Sequence, residues 1–353
     1  MKIMINTMPP YQQGGVANFY KVLRKYWNQE VIYNYVGGRR GIPGSLIIMY
    51  DVIKFIVRCL VINPDIVVLN PSLRKNALRR EALFLQISKF LNKKTIVFFR
   101  GWGKDQEKII SQNPACFCKT FNRADGFLVL ASDFKKKLEE WSITKPIFLT
   151  VTKVDDELVE NFRIDSKQSN ANILFLARVE EYKGIFVTLK AFEKIHRELP
   201  KATLTIAGEG SALDAAKAYV DNHNISNVSF KGYITGEAIA HALEHANIYI
   251  LPTHGEGMPS SVLEAMAFGV PVITRPVGGL KDFFEDEKMG YLIETLKADD
   301  FARCSLKLLQ DSDGWERISN YNYEYAKQNF KASKVAIQLE ELFKRFMSYP
   351  KGG

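Results

Sequence analysis

Glu256 and Glu264 stand with seven residues between them, in a segment that follows the apolar run Ile248–Leu251. Gly257, Met258, Pro259 and Ser260 lie between the first carboxylate and a helix-length stretch. A proline suits the start of a helix, where its missing amide would have had no intrahelical partner. The free amides around Gly257–Ser260 would then point along the positive end of the helix dipole, a seat for phosphate or developing negative charge. Glu256 falls in the loop and Glu264 on the helix, so the two can accept hydrogen bonds from different hydroxyls of one extended ligand. Each alone also has a plain reading, Glu264 as a surface residue and Glu256 as a helix-start carboxylate.

A second set of residues is cationic. Arg178 and Lys183 lie in the loop Ala177–Gly184 after the run Ile173–Leu176. An arginine offers a planar fork to phosphate oxygens and a lysine a compact charge, so the pair suits a polyphosphate. Gly14 and Gly15 follow the first strand-like run, where a backbone without side chains can approach an anion closely. Gly208 closes the run Thr203–Ala207, and Lys231, Gly232 and Tyr233 follow Val228–Phe230.

The series Glu256, seven residues, Glu264, then Ala265-Met266-Ala267, Gly269, Pro271-Val272-Ile273 and Gly278-Gly279 resembles the signature of glycosyltransferase family four. Arg178 with Lys183-Gly184, the pair Gly14-Gly15, and Ile206 to Gly210 resemble that family's other motifs. The resemblance is strong over 171–294 and weaker before it. It implies an α/β protein of GT-B fold, with two Rossmann-like doubly wound parallel-sheet domains facing a cleft, and a transfer that retains anomeric configuration. The donor it implies is a nucleoside-diphosphate sugar, UDP- or GDP-linked, which is a substrate; no cofactor is implied. By the same resemblance Glu264 binds the nucleotide ribose and Glu256 the donor sugar, while Lys231, Gly232 and Tyr233 border the base. Gly14, Gly15, Gly208, Gly257, Met258, Pro259 and Ser260 complete the donor seat. Arg178 and Lys183 stabilise the departing diphosphate, whose charge grows as the glycosidic bond breaks.

The chain departs from the family at one place. Many members carry His-Gly after the fourth strand of the first domain, whereas this chain reads Phe99-Arg100-Gly101-Trp102. Arg100 cannot serve as a base near neutral pH, but it can hold a phosphate or the departing oxygen. Ser72 and Asp105 are further candidates on that side.

Alternating strand-like runs and amphipathic helix-length segments position all these residues, the pattern of parallel sheets covered by helices on both faces. The runs are Lys2–Asn6, Val31–Tyr35, Asp65–Leu69, Thr95–Phe99, Gly126–Leu130 and Ile147–Val151, then Ile173–Leu176, Thr203–Ala207, Val228–Phe230, Ile248–Leu251, Val270–Thr274 and Tyr291–Ile293. Ligands of such sheets bind beyond the carboxyl ends of the strands, where the loops named above fall. The polar stretch Asn161–Asn172 separates the halves. Residues 1–160 are expected to bind the acceptor and 161–325 the nucleotide-sugar donor, with 326–353 a helical segment returning to the first domain.

A chain of 353 residues with 46% hydrophobic content has material for two cores. Its net charge of +9 is uneven: residues 1–150 hold 24 Lys or Arg against 10 Asp or Glu, and the remainder 24 against 29. Clusters such as Arg74-Lys75, Arg79-Arg80, Lys93-Lys94 and Lys135-Lys136-Lys137 suit an acidic lipid surface or a phosphorylated acceptor, and they also fit plain solvated helix faces. Nucleic-acid binding would leave the paired glutamates unexplained. The four cysteines lack metal or disulfide spacing, and His241 and His245 lack the intervening Glu of a metalloprotease helix. A dinucleotide oxidoreductase would need a third glycine after Gly208 and Gly210. Asp311-Ser312-Asp313, the one Asp-x-Asp triplet, reads as a helix-ending turn, so no metal is implied. Met1–Asn6 breaks at Pro9-Pro10 rather than continuing as a leader, and Leu46–Ile62 carries Asp51, Lys54 and Arg58, reading as a buried or interfacial helix. The expectation is a cytoplasmic enzyme, peripheral at the inner membrane face, passing sugar to a glycan or lipid-diphosphate-linked acceptor in surface or capsule polysaccharide assembly. A GT-B-fold epimerase or hydrolase, or a non-catalytic homologue, keeps the same donor site and is the alternative.

Overall fold

Runs such as Ile66–Leu69 and Ile248–Leu251 are apolar at every position because both faces of their sheets are covered by helices. The computed structural model describes residues 1–12, 14–37, 41, 43–167 and 170–349, and the chain divides into two units. The first comprises Met1–Thr152 with Ala332–Gly353, the second Lys153–Lys331.

The first unit runs β1 (Lys2–Thr7), α1 (Gly15–Leu23), β2 (Glu30–Tyr35), α2 (Gly44–Ile62), β3 (Ile66–Leu69), β4 (Ser72–Leu73), α3 (Lys75–Phe90), β5 (Lys94–Phe99), β6 (Gly101–Trp102), α4 (Lys104–Gln112), α5 (Ala115–Phe121), β7 (Gly126–Val129), α6 (Ser132–Glu140) and β8 (Ile147–Leu149). Its parallel six-stranded sheet has the order β2-β1-β3-β5-β7-β8, so the winding reverses between β1 and β3. The short β4 and β6 pair with each other beyond the sheet. At two residues apiece they leave no periodicity for a sequence to show.

The second unit runs β9 (Asn172–Leu176), α7 (Ile185–Glu198), β10 (Thr203–Ala207), α8 (Leu213–Asn222), β11 (Val228–Gly232), α9 (Glu237–His245), β12 (Ile248–Leu251), α10 (Ser260–Ala267), β13 (Val272–Thr274), β14 (Gly290–Leu292), α11 (Ala298–Gln310) and α12 (Ser312–Asn329). Its parallel sheet has the order β11-β10-β9-β12-β13-β14, and the reversal falls between β9 and β12. The strand-like runs read from the sequence all become strands of these two sheets.

The unit boundaries lie at Thr152/Lys153 and Lys331/Ala332 rather than at 160/161 and 325/326. Packing explains the shift: Val154 N donates to Phe330 O at 2.7 Å, and the buried Phe162 ring packs on Phe268 with centroids 4.8 Å apart. Residues 153–162 therefore belong with the second core. Gln168 and Ser169, inside the polar stretch expected as the linker, lie outside the described residues. The last helix, α13 (Ala332–Ser348), belongs to the first unit, where Glu340 accepts from Asn28 N at 2.6 Å and Gln29 N at 2.9 Å. Lys94 Nζ donates to Met347 O at 3.1 Å and to Tyr349 O at 2.6 Å, capping that helix's end. Asp311 accepts from Gly314 N at 2.9 Å, so the Asp-x-Asp triplet both ends α11 and caps α12.

Candidate functional site

The reversal in the second sheet places the loops after β9 and β12 side by side, because the chain leaves those neighbouring strands in opposite directions. Ala177–Gly184 and Pro252–Pro259 are those loops. Lys183 Nζ, in the first, donates to Glu256 Oε1 in the second, and both side chains are about one-eighth exposed, 13% and 12%. Backbone contacts hold the loops together. His254 N donates to Tyr182 O at 2.8 Å. Gly184 sits at φ +82, where a Cβ would collide with the Pro252 carbonyl, so only glycine permits the approach. The Arg178 guanidinium and the Lys183 ammonium each lie 5.3 Å from the centroid of the Tyr182 ring. Arg178 itself is exposed, which leaves its fork open to a ligand.

The loop after β10 joins the same edge. Gly208, at φ +149, packs against the Ala177 carbonyl with no room for a side chain, and Glu180 accepts from Ser211 Oγ at 2.6 Å. Lys231, Gly232 and Tyr233 follow one strand further out, with Lys231 and Tyr233 exposed and Gly208 N donating to Gly232 O at 2.7 Å. Beyond β12, Met258 and Pro259 are buried and Pro259 is extended, so the first amides of α10 face the loop. Gly257 O accepts from Gly279 N at 2.7 Å, which ties the Gly278-Gly279 pair to the site loop.

Glu264 is buried on α10 rather than lying at the surface. Burial pushes its carboxyl above the usual range, and the Lys153 ammonium opposes that shift. Tyr249 OH donates to Leu176 O at 3.0 Å and shares a hydrogen bond with Ser261 Oγ at 2.6 Å, fixing α10 against β9 and β12.

The first sheet has its own switch point, between β1 and β3. Gly14, at φ +151, precedes α1, and a Cβ there would meet nothing within 4 Å; Gly15 opens the helix. Arg100 follows β5, with its guanidinium carbon 3.5 Å from the Phe19 ring centroid and 4.9 Å from that of Phe98. Its Nε and Nη1 are buried without a hydrogen-bond partner. Burial lowers the guanidinium to about 10, the Tyr20 phenol beside it opposing the shift, so it stays a cation at neutral pH. Tyr20 OH donates to Asn70 Oδ1 at 2.7 Å, Asn70 Nδ2 to Asn6 O at 2.9 Å, and Asn34 Nδ2 to Asn6 Oδ1 at 2.6 Å. Ser72 lies half-buried in β4, and Asp105 is exposed in the first turn of α4, where it serves the helix dipole.

Tertiary structure thus brings Lys183, Glu256 and the α10 amides together within the second unit, and sets Arg100 beside α1 in the first. Several neighbours have no signature in the sequence. Tyr182 carries no motif, Lys153 lies far along the chain from Glu264, and Arg275 reaches Thr253 O at 3.3 Å and Glu294 O at 2.9 Å to brace the loop. Asn6, Asn34 and Asn70 each sit at or just past a strand end, a spacing that signals them only once the strand register is known.

Residues 158–325 match the model of the family described as glycosyl transferases group 1. Among curated proteins, an uncharacterized glycosyltransferase of Methanocaldococcus jannaschii is 23% identical over 65% of this chain. The amylovoran biosynthesis glycosyltransferase AmsK of Erwinia amylovora is 24% identical over 63%, and the putative colanic acid biosynthesis glycosyltransferase WcaL of Salmonella typhimurium 22% over 71%. The matched regions span 60%, 56% and 64% of those relatives' own lengths, less than two thirds in each case. Among solved structures, Anabaena HepE in complex with UDP and glucose superposes with a TM-score of 0.73 at 15% identity, covering 98% of this chain and 99% of that one. Sucrose-phosphate synthase from Thermosynechococcus elongatus gives 0.72 at 18%, with the same coverage. At such identities the likeness is one of fold.

Proposed function

We propose that this chain, whose residues 158–325 match the glycosyl transferases group 1 family and whose fold is GT-B, belongs to that family and transfers a sugar from a nucleoside-diphosphate sugar to a glycan acceptor. The observation that carries the reading is the meeting of Lys183 and Glu256 where β9 and β12 diverge, beside the exposed Arg178 and the first amides of α10. A diphosphate takes the amides, Lys183 and Arg178; the donor sugar takes Glu256, and the ribose Glu264. Tyr233, Lys231 and Gly232 border the base, and Gly208 and Met258 shape the floor. The neighbour crystallised with UDP and glucose and the relatives named for amylovoran and colanic acid biosynthesis support a UDP-linked donor and a polysaccharide product.

The chemistry needs no group beyond these. The bond between the anomeric carbon and the diphosphate oxygen breaks, and charge accumulates on the leaving group. Fixed donors aimed at such an oxygen supply about 3 kcal/mol apiece. The acceptor hydroxyl bonds to the anomeric carbon on the face just vacated, and its proton passes to the departing phosphate oxygen, so configuration is retained. Arg100, which cannot take a proton, holds an anionic group of substrate in the first unit. The acceptor is a lipid-diphosphate-linked glycan reached at the inner membrane face, a reading supported by the positive balance of residues 1–150. Incubation with UDP-[14C]glucose and a lipid-linked acceptor tests it: labelled glycolipid with the α-linkage of the donor is expected. Free labelled sugar, or an epimerised donor with no acceptor product, would move the activity to hydrolysis or epimerisation.

A further inference from the structure

α2 inverts the usual arrangement of a surface helix. Its buried face is Asp51, Phe55 and Cys59, whereas Leu46, Met49, Tyr50, Ile53, Val57, Leu60 and Val61 are exposed. Those seven fall at i, i+3, i+4, i+7, i+11, i+14 and i+15, one continuous apolar stripe over the whole helix. Ile53 is 56% exposed, Leu60 62% and Val61 79%. Single exposed apolar residues need no explanation, but a stripe of this length marks a surface that is covered in use.

Charge identifies what covers it. Asp51 is the only carboxylate on α2 and Glu81 the only one on α3, and both are buried, Asp51 accepting from Gly37 N at 2.7 Å and Glu81 from Arg80 Nε at 2.9 Å. Lys54 and Arg58 turn inward to the Tyr35 and Tyr33 carbonyls and do not interrupt the stripe. α3 packs beside α2, Phe55 against Phe84 with centroids 4.9 Å apart. It exposes Arg79, Leu83, Gln86 and Phe90 along one face, with Arg74 and Lys75 exposed at its start. The two helices therefore present apolar and cationic groups and no exposed carboxylate. A second copy of the chain would bring like charges together, whereas an anionic lipid leaflet satisfies both features. Among the described residues no helix is long and apolar enough to cross a membrane, so α2 lies in the leaflet plane.

We propose that α2, flanked by the basic start of α3, is a monotopic membrane-docking helix whose apolar stripe inserts among the acyl chains of an anionic leaflet. The inference deepens the reading of a lipid-linked acceptor by assigning the surface that meets the lipid. The test is co-sedimentation of the full chain with phosphatidylcholine vesicles, with or without phosphatidylglycerol. The unmodified chain should pellet with the anionic vesicles, and a bound fraction should persist at about 1 M salt, where charges are screened beyond about 3 Å. Ile53→Asp/Val57→Asp should lower partitioning by at least about tenfold. Both positions are exposed, so circular dichroism and UDP titration should match the parent; Ile53→Ser/Val57→Thr replaces the pair should the aspartates disturb folding. Three results overturn the proposal: no pelleting with anionic vesicles at low salt, complete release by salt, or parental partitioning of the double variant. A dimer in light scattering that the same substitutions split, without vesicle binding, would assign the stripe to self-association. UDP affinity is read in parallel, so a failed donor site and a failed membrane surface give different results.

Discussion

The two units differ in how their charges are satisfied. In the second unit Lys183 meets Glu256 and Glu180 meets Ser211, and backbone passes against backbone at Gly184 and Gly208. In the first, Arg100, which follows β5 one strand beyond the reversal, is stacked on Phe19 of α1 with two nitrogens buried and unpartnered. A site that pairs its own charges is assembled before its ligand arrives. A buried guanidinium left without partners is a cost to the fold, and such costs persist where a ligand repays them.

That contrast gives opposite signs for two substitutions. Lys183→Ala should slow sugar transfer by about 10² to 10³, the effect of removing one fixed donor from a leaving group. It should also lower stability by about 1–2 kcal/mol, because Glu256 loses its partner in a mostly buried place. Unchanged turnover would break the link between the pair and the reaction. Gly184→Ala comes next, at about 2 kcal/mol or more, since the new methyl group meets the Pro252 carbonyl at a backbone conformation that alanine resists. A urea midpoint equal to that of the parent would mean the two loops do not need their close approach. Arg100→Met should raise stability by about 1 kcal/mol, by removing unpartnered donors from an apolar stack, while transfer falls and UDP affinity holds. Lower stability together with parental turnover would make Arg100 a structural residue and erase the contrast.

The smallest effect concerns Glu81, whose carboxyl burial raises above its usual range despite Arg80 and Asn6. The folded chain then binds that proton more tightly than the unfolded one, so this contribution to stability is present at acid pH and is lost as pH rises through the raised value. Glu81→Gln should flatten the decline. A slope of urea midpoint against pH that the substitution leaves alone would assign the titration elsewhere.

Much of this was legible in the residues because buried parallel strands are written as continuous apolar runs, and because phosphate loops need glycines and cations at fixed offsets. Lys183, Glu256 and Gly184 carry such offsets. Arg100 was visible as a departure, but its environment was not: Phe19 comes from α1, and only the fold sets that ring against it. Glu264 read equally well as a surface residue, since its burial and its neighbour Lys153 are products of packing. The stripe on α2 was obscured for another reason, because a helix apolar on two faces reads as buried until one face is found without cover.

The most direct test of the donor site is hydrogen exchange of the full chain with and without UDP, read by mass spectrometry on peptides from both switch points. Slower exchange is predicted in Ala177–Gly184 and through Pro252–Ser260, with the effect lost in Lys183→Ala. Protection confined to the first unit, or none in either loop at saturating UDP, would contradict the placement of the donor.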